Sequence, residues 1–204
     1  MASLAVQRLT PAEYLAIERA AESKSEFFAG EMFAMAGASP PHVLITSNVT
    51  RELGNQLKGR PCRVYPSDLR VKVSETGLYT YPDVVVVCGE QQFDDKQHDT
   101  LLNPTLIVEV LSITTEAYDR GEKSAHFRRL ESLREYVLIA QDRVRVERYT
   151  RRDESGEWLL TESSDPNGVV ALPAIGCELA LAEIYDKVDL PSEPLPLRGP
   201  QTHR

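Results

Sequence analysis

The chain has 204 residues, 42% of them hydrophobic and 26% charged, enough apolar material for one core and too much for wholesale disorder. Its 31 acidic side chains outnumber 23 basic ones, leaving a formal charge of −8. That balance excludes a protein held to nucleic acid by bulk positive charge; such a contact would need a local basic patch.

The opening stretch MASLAVQRLT has no apolar run long enough for a signal peptide or a membrane span. A soluble, cytoplasmic protein is therefore expected. Thr10, Pro11 and Glu13 make a capping box with proline at the first helical position, so a helix starts there. Residues 25–28 and 31–35 flank Ala29-Gly30 and predict a β-hairpin. Ser39 caps a second helix with Pro40 or Pro41 in its first turn. Along it His42, Val49 and Leu53 share a stripe, with Ile45 beside them.

Residues 68–73 alternate polar and apolar, which predicts a strand with one dry and one wet face. Residues 83–88 and 106–111 are short, nearly all-apolar runs introduced by Pro82 and Pro104. Such runs suit central strands covered on both faces. A polar helix lies between Ser112 and Leu133, followed by a buried strand at 136–140 and a hairpin spanning 144–162. A short closing helix falls within 179–188. The order predicts an α/β layered domain over residues 1–190. Residues 191–204, rich in proline and poor in large apolar side chains, read as a mobile tail. Cys62, Cys88 and Cys177 are far apart without zinc-type spacing, so free structural thiols are expected rather than a disulfide or a zinc site.

Two residues break the apolar pattern. Glu109 sits inside LIVEVL, on the face it shares with Ile107 and Leu111. An ionised carboxylate buried there without a partner costs several kcal/mol, so it needs a cation, a hydrogen-bond donor or a raised pKa. Asp83 opens the VVVV run, at the mouth of the sheet. Each carboxylate has an ordinary structural reading, a core ion pair or a strand-entry hydrogen bond. Two of them entering one apolar sheet on neighbouring strands suit Mg²⁺, which takes hard oxygen ligands and keeps part of its hydration shell. Lys123 shares a helical stripe with Phe127 and Leu130, which turns it toward the sheet; Asp119 lies one turn before it. Two carboxylates that fix a metal, and a lysine that aligns water or neutralises a phosphate, imply hydrolysis of a phosphodiester.

Pro82-Asp83 followed by Glu109-Val110-Leu111 resembles the PD-(D/E)XK nuclease superfamily. More closely, the chain is similar to the Uma-type restriction endonuclease family, a former domain of unknown function. The similarity rests on the hairpin EFFAGE at 26–31, His42, YPDVVV at 81–86 and, most specifically, NPTLIVEVLSITTEAYDRGEKSAHFRRLESLREYVLI at 103–139. It covers residues 8–186 approximately. It implies a restriction-endonuclease-like core, a central mixed β-sheet flanked by helices, with an N-terminal helix and hairpin. It also implies a Mg²⁺- or Mn²⁺-dependent endonuclease whose substrate is nucleic acid, DNA first.

Carried over by residue, Asp83 and Glu109 become metal ligands. The superfamily's lysine position falls on Leu111, which cannot serve, and Lys123 on the following helix is the match. Further candidates are His42, Glu26 and Glu31 on the hairpin, and Asp119 as the group that orients Lys123. Arg51, Lys58, Arg60, Arg63, Arg70, Lys72, Arg120 and Arg128 are the candidate contacts to a nucleic-acid backbone. A second copy of the chain is a candidate partner because a duplex has two strands to cut; no membrane partner is expected. Two other readings stay open. Leu111 in the lysine slot and the acidic balance favour a non-catalytic binding or assembly module on the same fold. A metal phosphohydrolase acting on a small phosphate ester would use the same carboxylates.

Overall fold

A computed structural model describes residues 8–152 and 156–191. Helix α1 (Pro11–Ala20) begins at the expected box: Thr10 accepts from the Glu13 amide and Glu13 reaches back to the Thr10 amide. The hairpin follows as β1 (Ser25–Phe28) and β2 (Glu31–Ala34). Helix α2 (Pro40–Gln56) is capped by the Ser39 hydroxyl and buries Ile45, Val49 and Leu53.

Next come β3 (Cys62–Pro66), β4 (Arg70–Val73), β5 (Leu78–Thr80), β6 (Val84–Cys88), β7 (Thr100–Leu101) and β8 (Leu106–Leu111). Helix α3 (Glu116–Tyr118), a π-helical turn (Asp119–Lys123) and α4 (Ser124–Phe127) form one continuous segment. The chain closes with β9 (Glu135–Ala140), β10 (Val146–Arg152), β11 (Glu157–Ser163), β12 (Val169–Leu172), β13 (Cys177–Ala180) and α5 (Leu181–Ile184).

The central sheet is six-stranded and mixed, ordered β11-β10-β9-β8-β6-β3, with β8 and β9 its parallel pair. Side chains alternate across it. Val84, Val86, Val108 and Val110 face Ile45, Val49 and Leu53 of α2, with β12, β13 and α5 completing that layer. Val85, Ile107 and Leu111 face the other way, toward Phe127 of α4 and Val71 and Leu78 of a second sheet ordered β2-β1-β5-β4-β7. The all-apolar strands are thus covered on both faces. Each fully buried aliphatic side chain there contributes about 1.5–3 kcal/mol.

Three expectations are corrected. The wet face of β4 is not wet: Arg70 is 3% exposed, 2.9 Å from Asp99 and over the rings of Tyr14 and Tyr81, so the alternation marked a buried, paired cation. The helix between Ser112 and Leu133 is shorter and interrupted. It ends at Phe127, and Arg151 gathers the carbonyls of Arg128, Leu130 and Leu133 where the chain turns into β9. Cys62 and Cys88 form a disulfide, because the antiparallel register of β3 and β6 sets them opposite one another across 26 residues of sequence; Cys177 alone is a free, buried thiol. The short closing helix expected within 179–188 is present as α5. The tail expected over 191–204 lies, except for Pro191, outside the described residues. Among the described residues no helix is long and apolar enough to cross a membrane.

Candidate active site

Strands β6 and β8 run antiparallel with Val84 opposite Val108, which brings Asp83, the residue before β6, level with Glu109. One Asp83 oxygen, Oδ2, accepts the Val110 N–H at 2.7 Å; the other lies 2.8 Å from His42 Nε2. His42 reaches it from the first turn of α2, where Ser39 caps the helix. Glu109 projects from the face that carries Ile107 and Leu111 and is 4% exposed.

Lys123 meets it from the helical segment, with Nζ 2.9 Å from Glu109 Oε1. The same ammonium lies 3.2 Å from Glu26 Oε1 on β1 and 3.6 Å from Asp119 Oδ1. Thr80 of β5 donates its hydroxyl to Glu26, fixing that carboxylate from behind. The π turn starts at Asp119 and ends at Lys123. Its wider turn inserts one residue relative to α-helical geometry, a feature that recurs at functional sites. Two contacts hold it: the Tyr136 hydroxyl donates to the Asp119 carbonyl at 3.1 Å, and Arg120 pairs with buried Glu147 on β10.

Four carboxylates therefore surround one ammonium and one imidazole. Burial pushes the Glu109 carboxyl well above its usual range; Lys123 opposes that shift while Asp83 and Asp119 add to it. Asp119 is raised for the same first reason, with Lys123 again opposing. Burial disfavours the Lys123 charge, but Glu109, Glu26 and Asp119 outweigh it and hold the ammonium protonated. Burial likewise keeps the Tyr118 and Tyr136 phenols neutral.

Among the described residues no group of three or more His, Cys, Asp or Glu side chains is arranged as a metal cage. Mg²⁺ does not require one: it is commonly held by one or two carboxylates and completes its octahedron with water and phosphate oxygens. Two features match that demand. Glu109 Oε1 is buried and has no aligned hydrogen-bond donor, its approach to Lys123 being an ion pair by distance alone. The cluster also carries more carboxylate charge than its ammonium balances. Asp83 and Glu109, hard oxygen donors on adjacent strands, are the pair that fits a divalent ion.

Asp83, Glu109, Lys123, Asp119, Glu26 and His42 thus come together from α2, β1, β6, β8 and the π turn. Glu31 does not join them; it lies exposed on β2. No pattern in the sequence pointed to Thr80, to the Val110 amide or to the Arg120–Glu147 tether. Thr80 is three residues before Asp83, and only the pairing of β5 with β1 turns it toward Glu26.

The expected backbone-binding cations fare unevenly. Arg70 is buried, Lys72 pairs with Asp94, Arg120 with Glu147 and Arg51 with Glu52, while Arg60 caps the carbonyls of Ile175 and Gly176. Lys58, Arg63 and Arg128 stay exposed.

A family model described as "Uma2: Putative restriction endonuclease" matches residues 11–182. Two uncharacterized proteins of Synechocystis sp. (strain ATCC 27184 / PCC 6803 / Kazusa) are similar along most of their length. The first, sll1609, is 40% identical over 162 residues, covering 79% of this chain and 91% of the relative. The second, slr1290, is 36% identical over 180 residues, covering 87% and 92%. The crystal structure of a "putative nuclease belonging to DUF820" from Anabaena variabilis ATCC 29413 superimposes with a TM-score of 0.71. It covers 87% of this chain and 97% of that one at 19% identity, a likeness of fold.

Proposed function

The chain belongs to the Uma2 family of restriction-endonuclease-related proteins, and from that membership we propose that it is a metal-dependent endonuclease hydrolysing phosphodiester bonds in DNA. The observation that carries the reading is the meeting of Asp83, Glu109 and Lys123 at one end of an apolar sheet, with Lys123 Nζ 2.9 Å from Glu109. In this reading residues 1–190 are a single nuclease domain.

Asp83 and Glu109 would hold Mg²⁺ or Mn²⁺. When bound, that ion supplies charge neutralisation at the phosphate and a water of lowered pKa. The chain's own groups do the rest. The Val110 amide and His42 each grip one oxygen of Asp83 and fix the plane of its carboxylate, the kind of support that sharpens a ligand's orientation. Asp119 and Glu26 keep Lys123 protonated and aimed at Glu109, so that its ammonium is available to the anionic phosphoryl group. Leu111 occupies the superfamily's lysine slot on β8, and the π turn supplies the ammonium from the covering helix instead. Of the candidate backbone contacts, Lys58, Arg63 and Arg128 are exposed and the others are engaged by groups of the fold, so duplex binding should be weak and its salt dependence shallow, since the slope counts the phosphates neutralised.

The test is incubation with plasmid, linear duplex, single-stranded DNA and RNA in Mg²⁺ or Mn²⁺. The proposal expects metal-dependent cleavage of duplex DNA that disappears in Asp83→Ala, Glu109→Ala and Lys123→Ala. Cleavage that persists in all three overturns the site. Metal binding without cleavage of any polymer moves the reading to a small phosphate ester, and a folded protein that binds no metal makes it a non-catalytic module.

A further inference from the structure

Among the described residues the outer edge of the central sheet has no partner strand. β11 is the last strand, its seven residues paired with β10 on one side, and no described strand pairs with the other. Alternate N–H and C=O groups along that edge face outward. The strand contains neither proline nor lysine, the residues that commonly blunt an edge. Two of its leucines are open to solvent, Leu159 at 41% and Leu160 at 48%. The opposite edge differs: β3 ends in Pro66 and is covalently bonded to β6 through Cys62.

We propose that a second copy of this chain docks along β11, antiparallel, joining two six-stranded sheets into one. The occupant follows from the strand's own sequence. A twofold axis perpendicular to the sheet keeps each face continuous, so residues opposite one another must come from the same side of the pleat. A one-residue slip is forbidden on that ground. Of the allowed registers, the one centred on Leu160 pairs the whole strand, and a two-residue shift either way leaves its ends unpaired.

That register sets Leu160 against Leu160, Leu159 against Thr161, Trp158 against Glu162, and Glu157 against Ser163. The leucines meet across the axis and no glutamate faces a glutamate. Glu162 brings its own counter-ion, since Arg145 lies 2.8 Å from it. The indole N–H of Trp158 comes level with Glu162 of the other copy, an acceptor for a donor. A seam of this kind rests on main-chain hydrogen bonds and few side chains, so it belongs to the small, concentration-dependent class of interface. β9 and β10 separate it from β8, so both candidate sites stay clear of the seam.

The inference does not depend on the nuclease reading, and its test needs no activity. Sedimentation velocity on the full chain, from low to high micromolar concentration, should show a shift toward twice the monomer mass. Leu160→Lys and Leu160→Glu alter an exposed side chain, so both should keep the wild-type melting temperature. Each places like charges across the axis and should raise the dimer dissociation constant at least tenfold. An equimolar mixture of the two should dimerise again, ammonium against carboxylate. A wild type that stays monomeric throughout overturns the proposal. So does a dimer that survives both substitutions, or a mixture of the folded variants that remains monomeric.

Discussion

Glu109 is a costly side chain to bury in the central sheet: a carboxylate 4% exposed, flanked by Asp83 and Asp119 and answered by one ammonium. If it is a ligand, Glu109→Gln should weaken Mg²⁺ binding at least about tenfold by calorimetry, since removal of supporting groups alone commonly costs that much. Unchanged affinity would remove Glu109 from the ligand set. The pH dependence has a definite sign. Burial raises the Glu109 carboxyl, so at low pH the proton competes with the metal. Mg²⁺ affinity should therefore increase as pH rises through that elevated pKa, by about tenfold per unit while one proton is displaced. Lys123→Met leaves buried carboxylates facing each other. It should destabilise the metal-free protein by about 3 kcal/mol in thermal or denaturant melts, and Mg²⁺ should recover more stability in the variant than in the wild type. Glu109 and Asp83 were legible in the sequence because each is a charge inside an apolar run. Thr80 was not, because a hydroxyl in a short strand looks the same whether it meets water or Glu26.

The elements divide in the same way. Strands of nearly unbroken valine, isoleucine and leucine announce burial on both faces wherever they pair, and helix caps depend on neighbours a few residues away. Lys123 could be placed on the sheet side of its helix from the position of Phe127, four residues on. The π turn that carries it could not, because its hold is tertiary: Arg120 on Glu147, and the Tyr136 hydroxyl on the Asp119 carbonyl. The Cys62–Cys88 bond was hidden for the same reason, since it depends on which strands become neighbours. Glu147 is 3% exposed and shared by Arg120 and Arg145. Glu147→Gln should cost about 3 kcal/mol of stability and accelerate amide exchange through residues 119–123. It should leave Mg²⁺ affinity near wild type, because neither proposed ligand is touched. Slow exchange preserved in that segment would show that the tether does not hold the turn.

For the molecule as a whole, topology makes the site. Asp83 and Glu109 are far apart in sequence and come level because β6 and β8 are antiparallel neighbours at the centre of a mixed sheet. The sequence carries the strands but not their order, so the two carboxylates were recognisable singly and their pairing was an assumption. The electrostatics were less legible. Of the cations that looked available to a phosphate backbone, Arg70, Lys72 and Arg120 are committed to carboxylates of the fold. Whether the acidic cluster is a metal centre is open to direct view in crystals grown with Mn²⁺, with diffraction recorded at the manganese absorption edge. The account predicts an anomalous peak at Asp83 and Glu109, the residues that would hold the ion. Crystals whose manganese sits elsewhere, or that take up none while the Lys123–Glu109 contact stays closed, would contradict it.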